Sequence, residues 1–417
     1  MITRLVDFWI RPQFRNYDAV NIVFYGVALC LGALVGSLAS VFVVSTAVYS
    51  TLHLLTGRLR WAGPNPVKIV AIGFLGLFAA DAVSAAANPS MVSLDEVAEN
   101  LPFLGFAGIY SITFLDRLKL LRAVELTALA VPPVALLLLL VWFPEASRPG
   151  LAAGNAGVLA LLGAVLYVVT IGAAFRRMNR LSLLFLAAAA ASAFVVVLTG
   201  TRAMWPALVL VPFIGLLSLG SRRMIFWGLP VIVLTVNCLA IFAFVTSPTI
   251  RDRVGALRTD IYAAVLGDFS GSLGQRIMIY RAGYELYLEK PILGYGPGNE
   301  RNEIADKTAE IGGEAIAYSH AHNALLNAAL RSGLLGVIAL LAVLVLPFAA
   351  AIRARKDEVG WAGFHAMTGI LTVYVCSGTT GLMLGHDIHD SVYIAGTCYA
   401  LYLIFGRTRS DDGDPRR

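Results

Sequence analysis

Charge is scarce in this chain: Asp, Glu, Lys and Arg make up 14% of its 417 residues, against 58% hydrophobic ones. Soluble domains carry roughly 25% charged residues. The scarcity excludes a water-soluble globular protein, and length then says nothing about domain count. Cysteine is scarcer still. Cys30, Cys238, Cys376 and Cys398 lie in apolar stretches without CxxC spacing, so they read as small core residues and not as disulfides or metal ligands. The two halves share no repeat and the apolar runs hold little mid-span charge, unlike many transporters. No short signal-peptide core with a small-residue cleavage site opens the sequence, so the first apolar run is expected to be retained. The basic excess of +6 fits cytoplasmic loop charge better than a nucleic-acid partner.

What is present is a series of apolar runs near the length of about 20 residues that a bilayer requires. They fall at 19–36, 38–55, 66–87, 101–115, 123–143, 153–175, 181–199, 203–220, 225–246, 322–351, 361–382 and 389–406. Arg4, Arg11 and Arg15 precede the first. Basic clusters then recur in every second connection, at Arg58, Arg60 and Lys68, at Arg117, Lys119 and Arg122, at Arg176, Arg177 and Arg180, at Arg222 and Arg223, at Arg353, Arg355 and Lys356, and at Arg407 and Arg409. One missed span would scramble that alternation, so the positive-inside rule supports about twelve spans with both termini cytoplasmic. The expected fold is all-α and polytopic. Its parts are nine N-terminal spans over 1–246, a large outer loop over 247–321, and three spans with a tail over 322–417.

A loop as long as 247–321 is usually functional. Within it, "GQRIMIYRAGYELYLEKPILGYGPGN" (274–299) predicts a helix stopped by Pro291, Gly294, Gly296 and Gly298. Arg276, Tyr280, Gly283, Tyr284 and Tyr287 share one helical face, which suggests an element lying on the bilayer. Residues 300–316 are polar and expected to be mobile.

Several polar side chains stand at the predicted outer ends of the spans. Arg202 occupies a very short outer connection, where a guanidinium either snorkels to lipid phosphates or holds an anionic ligand bidentately. Arg276 heads the aromatic face, whereas Arg281 reads as a surface charge. His320 and His322 stand at the lip of the tenth span. In a helix, residues two apart diverge by about 200°, so they share a side only if the backbone is extended there. A neutral imidazole accepts a proton from an attacking hydroxyl, although a histidine at a span end also serves as an interfacial polar group. The Asn323 amide is placed to orient a ring. In "GHDIHD" (385–390), His386 and His389 share i, i+3 spacing, as do Asp387 and Asp390. Together with the first histidine pair these side chains offer a metal site of His and carboxylate type, which the absence of zinc-type ligand spacing disfavours; the alternatives are a wet, hydrogen-bonded loop and Asp387 positioning an arginine or a histidine. Asp81, near the outer end of the third span, calls for an arginine partner. Gly333 and Gly336 suit close helix packing.

Three stretches, in order, resemble the O-antigen ligase and O-antigen polymerase superfamily. "AHNALLNAALRSGLLG" is similar to its His-Asn pair opening a span, followed by Gly-x-x-Gly. "TRAMW" resembles its Ser-Arg-Gly-x-Trp-like motif, with Thr201 for Ser and Ala203 for Gly. Residues 274–299 resemble its Arg-x-x-x-Trp-x-x-Ala segment and Pro-x-x-Gly-x-Gly turn, with Tyr280 for Trp and Gly283 for Ala. The resemblance implies a GT-C-like, metal-independent membrane glycosyltransferase without a cofactor, in a bacterial inner membrane with its site on the periplasmic face. It would take a glycan from undecaprenyl diphosphate. A ligase passes the glycan to a lipid A-core sugar, whereas a polymerase passes it to another carrier-linked unit. The matching positions are Arg202 and Arg276 for the diphosphate and His322 for the acceptor hydroxyl, with His320, Asn323, Tyr280, Arg281, Asp387, His389 and Asp81 as further candidates around the substrates. Rival classes are a lipid or polysaccharide transporter and a non-catalytic assembly factor.

Overall fold

The computed structural model describes residues 17–143, 148–177, 179–219, 245, 248–318, 320–353 and 357–408. Among these, nine helices are long and apolar enough to cross a membrane: α1 (Asp18–Val35), α2 (Leu38–Leu55), α3 (Asn65–Ala87), α6 (Arg117–Trp142), α7 (Ala156–Arg176), α8 (Leu181–Leu198), α13 (Ala324–Arg353), α14 (Glu358–Thr380) and α15 (Asp387–Phe405). Between them lie α4 (Met91–Glu99), α5 (Phe106–Ile112), α9 (Trp205–Leu219), α10 (Pro248–Val265), α11 (Ser272–Glu289) and α12 (Glu300–Gly312). No strand occurs among the described residues. The chain is an all-α polytopic membrane protein.

Three helices, α7, α14 and α15, are buried over most of their surface and form the centre. The apolar windows of α7 and α15 are 89% and 94% buried, whereas those of α2, α6, α8 and α13 turn most of their surface outward. The outward residues, such as Leu52, Leu137, Leu184 and Ile338, are large and apolar, as a lipid-facing surface requires.

The count of spans differs from the sequence expectation in three places. The run at 203–220 is the short helix α9. The run at 225–246 lies, apart from Val245, outside the described residues. The run at 101–115 is a 3₁₀ turn (Leu101–Gly105) followed by the seven-residue α5. Residues 100–116 nevertheless travel between opposite ends of the bundle, because Asn100 bonds Asp81 while Arg117 pairs with Asp357. Such a mixed path reaches about 30 Å, enough to cross. Phe103, Phe106, Ile109 and Tyr110 are buried, and irregular backbone is tolerated at membrane depth only inside protein. A 19-residue apolar window cannot distinguish this path from a helix. The break between the first two spans is real, with Gly36 at φ +58°.

Basic connections gather at one end. Arg176 and Arg177 hold the buried Glu125, and Arg176 also reaches Glu358 at 2.8 Å. Arg117 joins Asp357 there, and Arg407 stacks on Phe114. The 248–322 segment occupies the opposite end. The polar stretch at 300–316 is largely the helix α12. Glu300 and Glu303 suit its first turn, and Gly313 closes it at φ +76°.

Candidate active site at the loop-bearing end

The site is built around a break in α13. Ser332 and Gly333 leave the helical region, Gly333 at φ +61° and ψ −150°. A Cβ added at Gly336 would meet the Ala328 carbonyl at 2.5 Å, although a straight helix holds residues eight apart about 12 Å from one another. The stub 324–331 therefore folds over sharply against the shaft that starts at 334. The break frees backbone carbonyls that need partners. Tyr295 and Gly296 donate their amides to the Leu330 and Arg331 carbonyls at 2.8 and 3.0 Å, and Leu334 returns its amide to Pro291 at 2.8 Å. Gly294, at φ +66°, passes too close to the Leu330 carbonyl for any side chain. The Pro-x-x-Gly-x-Gly turn is thus the plug of the broken helix.

Beneath the plug lies an ion cluster. The Arg331 guanidinium is buried and lies 3.2 Å from Asp81, 2.8 Å from Glu96 and 3.8 Å from Glu300. Asn100 and Ser332 donate to Asp81, and Arg301 closes on Glu96. Two arginines meet three carboxylates, and Glu300 bears the surplus. Its carboxylate is 1% exposed, and neither oxygen has a hydrogen-bond partner. Burial pushes it up to about 7. Glu96 remains below its ordinary value because the attraction of Arg331 and Arg301 outweighs its desolvation. A cavity of about 50 Å³ opens beside the cluster, lined by Asp81, Asn100, Asn327, Arg331 and Gly385, room for one or two waters.

Above the stub sit the two histidines. Their backbone precedes the helix, and the rings come together with centroids 4.4 Å apart. His322 holds φ +52°, a left-handed conformation that costs a non-glycine residue about 1–2 kcal/mol. Two contacts hold this turn. The Tyr280 hydroxyl donates to the His322 carbonyl at 2.9 Å, and the Ala321 amide donates to Asn327 Oδ1 at 3.1 Å. The His322 ring also reaches the Thr380 backbone at the end of α14. Both rings fall to about 4, chiefly by desolvation. The positive field of Arg276 adds to this for each, and Arg301 adds to it for His320. Both are therefore neutral at physiological pH.

The remaining sequence candidates divide. Arg276 and Tyr280 stand at the histidines, on the inward face of α11. Tyr284 does not share that face; it is 62% exposed. Asn323 caps the stub by accepting from the Leu326 amide at 3.0 Å and does not orient a ring. Arg281 is exposed and pairs with Glu285 at 3.4 Å. Asp387 holds His386 at 2.9 Å and raises it. His389 is buried, its Nδ1 3.3 Å from the Met383 carbonyl, close enough to His320 for the two rings to interact electrostatically. Asp81 meets the arginine partner that its depth called for. Arg202 opens the turn before α9. Thr201 donates to Ala156 at the start of α7, so Arg202 stands at the histidine end of the bundle, where its turn packs on α14. Sequence reasoning missed Arg331, Glu96 and Glu300. The available signal was a lone charge inside the apolar run after His322, since such charges mark paired or functional sites.

An all-helical membrane bundle that gathers guanidinium and neutral imidazole groups at one end has the makings of a group-transfer enzyme for lipid-borne substrates. Residues 187–341 match the family model described as O-antigen ligase, and this match supports the place of the chain in the O-antigen ligase superfamily. The matched segment contains Arg202, Arg276, His320, His322 and Arg331. That family implies a membrane glycosyltransferase-like enzyme of ligase or polymerase type, acting on lipid-linked glycans. No curated protein matches the chain.

Proposed function

We propose that the protein is an O-antigen ligase of the inner membrane. It transfers a glycan from undecaprenyl diphosphate to a hydroxyl of a lipid A-core sugar on the periplasmic face. The observation that carries the reading is the convergence of Arg276 on the neutral ring of His322, at the end of the bundle that carries the 248–322 segment. As the glycosidic C–O bond breaks, charge grows on the departing diphosphate, and fixed guanidiniums from Arg276 and Arg202 stabilise it. The acceptor oxygen attacks the anomeric carbon from the opposite side, which inverts its configuration. Its proton passes to His322 Nδ1 or Nε2.

A ring titrating near 4 is a weak base. The negative charge of a diphosphate would offset that of Arg276, the lesser cause of the shift after burial, and so raise the basicity of His322 when the leaving group is present. The experiment is reconstitution with carrier-linked glycan and lipid A core. The joined, inverted product supports the ligase; chain growth on the carrier without core marks the polymerase alternative; neither product refutes both. His322→Ala should bind donor without transferring it, and activity should survive chelation.

A further inference from the structure

We infer that α11 lies in the bilayer surface nearest the site and grips lipid headgroups with the face opposite its catalytic one. Tyr280 and Gly283 face the stub of α13, at His322 and Leu326. On the other side Ile277, Arg281, Tyr284 and Leu288 follow one another at helical spacing, and Ile292 extends the row in the turn that follows. These apolar residues are between 39% and 66% exposed, and the Arg281 side chain is 63% exposed. A row of large apolar side chains facing water is uncommon on a soluble surface.

Two observations identify the occupant as lipid. The row is continuous with the membrane-facing belt. Pro291 accepts from the Leu334 amide, and Ile292 packs its backbone on Gly333, so the row ends where Leu334, Leu335 and Ile338 begin the outward face of the α13 shaft. Second, α11 packs on the His322 turn and on the folded-over stub at the loop-bearing end, with Tyr280 at His322 and Gly283 at Leu326, so its opposite face turns away from the protein there. That outward face continues the lipid-facing belt of the shaft, as a helix at a bilayer surface does. Its composition suits that surface. Tyr284 supplies an aromatic ring at headgroup level, and Arg281, between apolar neighbours, supplies a guanidinium for lipid phosphate. One helix then couples the membrane surface to Arg276 and the histidines and sets their height over it.

The test uses the full chain in nanodiscs of phosphatidylethanolamine and phosphatidylglycerol, with Cys30, Cys238, Cys376 and Cys398 replaced by Ala. Single cysteines at Tyr284, Leu288 and, as a control, the exposed Asp306 of α12 carry an environment-sensitive fluorophore. Nitroxide-bearing lipid should quench the labels at 284 and 288 severalfold more than at 306, and aqueous iodide should do the reverse. Iodide quenching at 284 and 288 equal to that at 306 overturns the inference. So does shielding of both labels from both quenchers, which would mean that protein, in place of lipid, covers this face.

Discussion

The imidazole rings of His320 and His322 stand 4.4 Å apart, centre to centre, at 60° to one another, with Arg276 as their common positive neighbour. A proton on either ring would face the guanidinium and the other ring in a half-buried site. The pair is therefore held in the form that accepts protons.

The folded pKa of each ring, about 4, lies below the ordinary 6.5. The unfolded chain then binds more protons than the folded one between these values, so stability falls as pH drops from about 6.5 toward 4 and is unaffected above that window. His320→Gln with His322→Gln should flatten this acid limb of the melting temperature. Carbon-13 shifts of labelled histidine should place both rings near 4 in the free protein. A His322 value near 6.5 would contradict the desolvated, Arg276-facing geometry.

Arg276→Gln tests the electrostatic coupling without depending on turnover. Loss of the positive neighbour should raise the titration of His320 and His322, while burial keeps them below 6.5. Transfer should fall by about 10²–10³, the scale of a lost transition-state donor. Arg276→Lys should restore the low titration but not the rate, because an ammonium gives a point charge where a guanidinium gives two aligned donors.

Glu300 has the opposite sign. Its folded value is raised to about 7 from 4.5, so the folded state holds a proton that the unfolded state has already lost. The protein is destabilised as pH rises through 7. Glu300→Gln keeps the shape and removes the charge. It should raise the melting temperature at pH 8 and leave it nearly unchanged at pH 5. An equal effect at both pH values would mean that Glu300 is ionised in the fold.

The sequence carried the bundle well, since apolar length and alternating basic connections report directly on the bilayer. It carried the crossing at 101–115 poorly, because hydropathy records burial and is blind to a path made half of 3₁₀ turn. At the site, titratable side chains at a span end pointed to His320 and His322, and the aromatic-faced helix of the loop pointed to Arg276. The extended-backbone condition set for the histidine pair is met in a different form: a positive-φ turn brings the rings together. Tyr284 was misassigned because four aromatic and glycine positions fit one wheel face loosely, and only contact with the stub selects 280 and 283. Arg331 was hidden because its three partners come from α3, α4 and α12, more than 200 residues away for two of them and adjacent only after the helix breaks.

That cluster gives the last test. Arg331, on the stub, is joined to carboxylates on α3, α4 and α12, so it holds the height of the histidine turn through the break at Ser332 and Gly333. Arg331→Ala leaves Asp81 buried without a cation and Glu96 with Arg301 alone, and breaking a buried pair costs about 3–5 kcal/mol. A drop in stability alone would mark a structural ion pair. Positioning requires more. In Arg331→Lys, which keeps the charge and loses the fork, donor binding should stay within about twofold, since Arg276 and Arg202 are untouched, while single-turnover transfer falls by about tenfold, the scale of a misplaced reacting group. The triple substitution Asp81→Asn, Glu96→Gln, Arg331→Met should recover stability, because removing the buried cation together with the two carboxylates that bond it is tolerated far better than removing the cation alone. If transfer recovered with it, the cluster would matter for folding only; a stable protein that still binds donor and transfers slowly would assign to Arg331 the aim of His322.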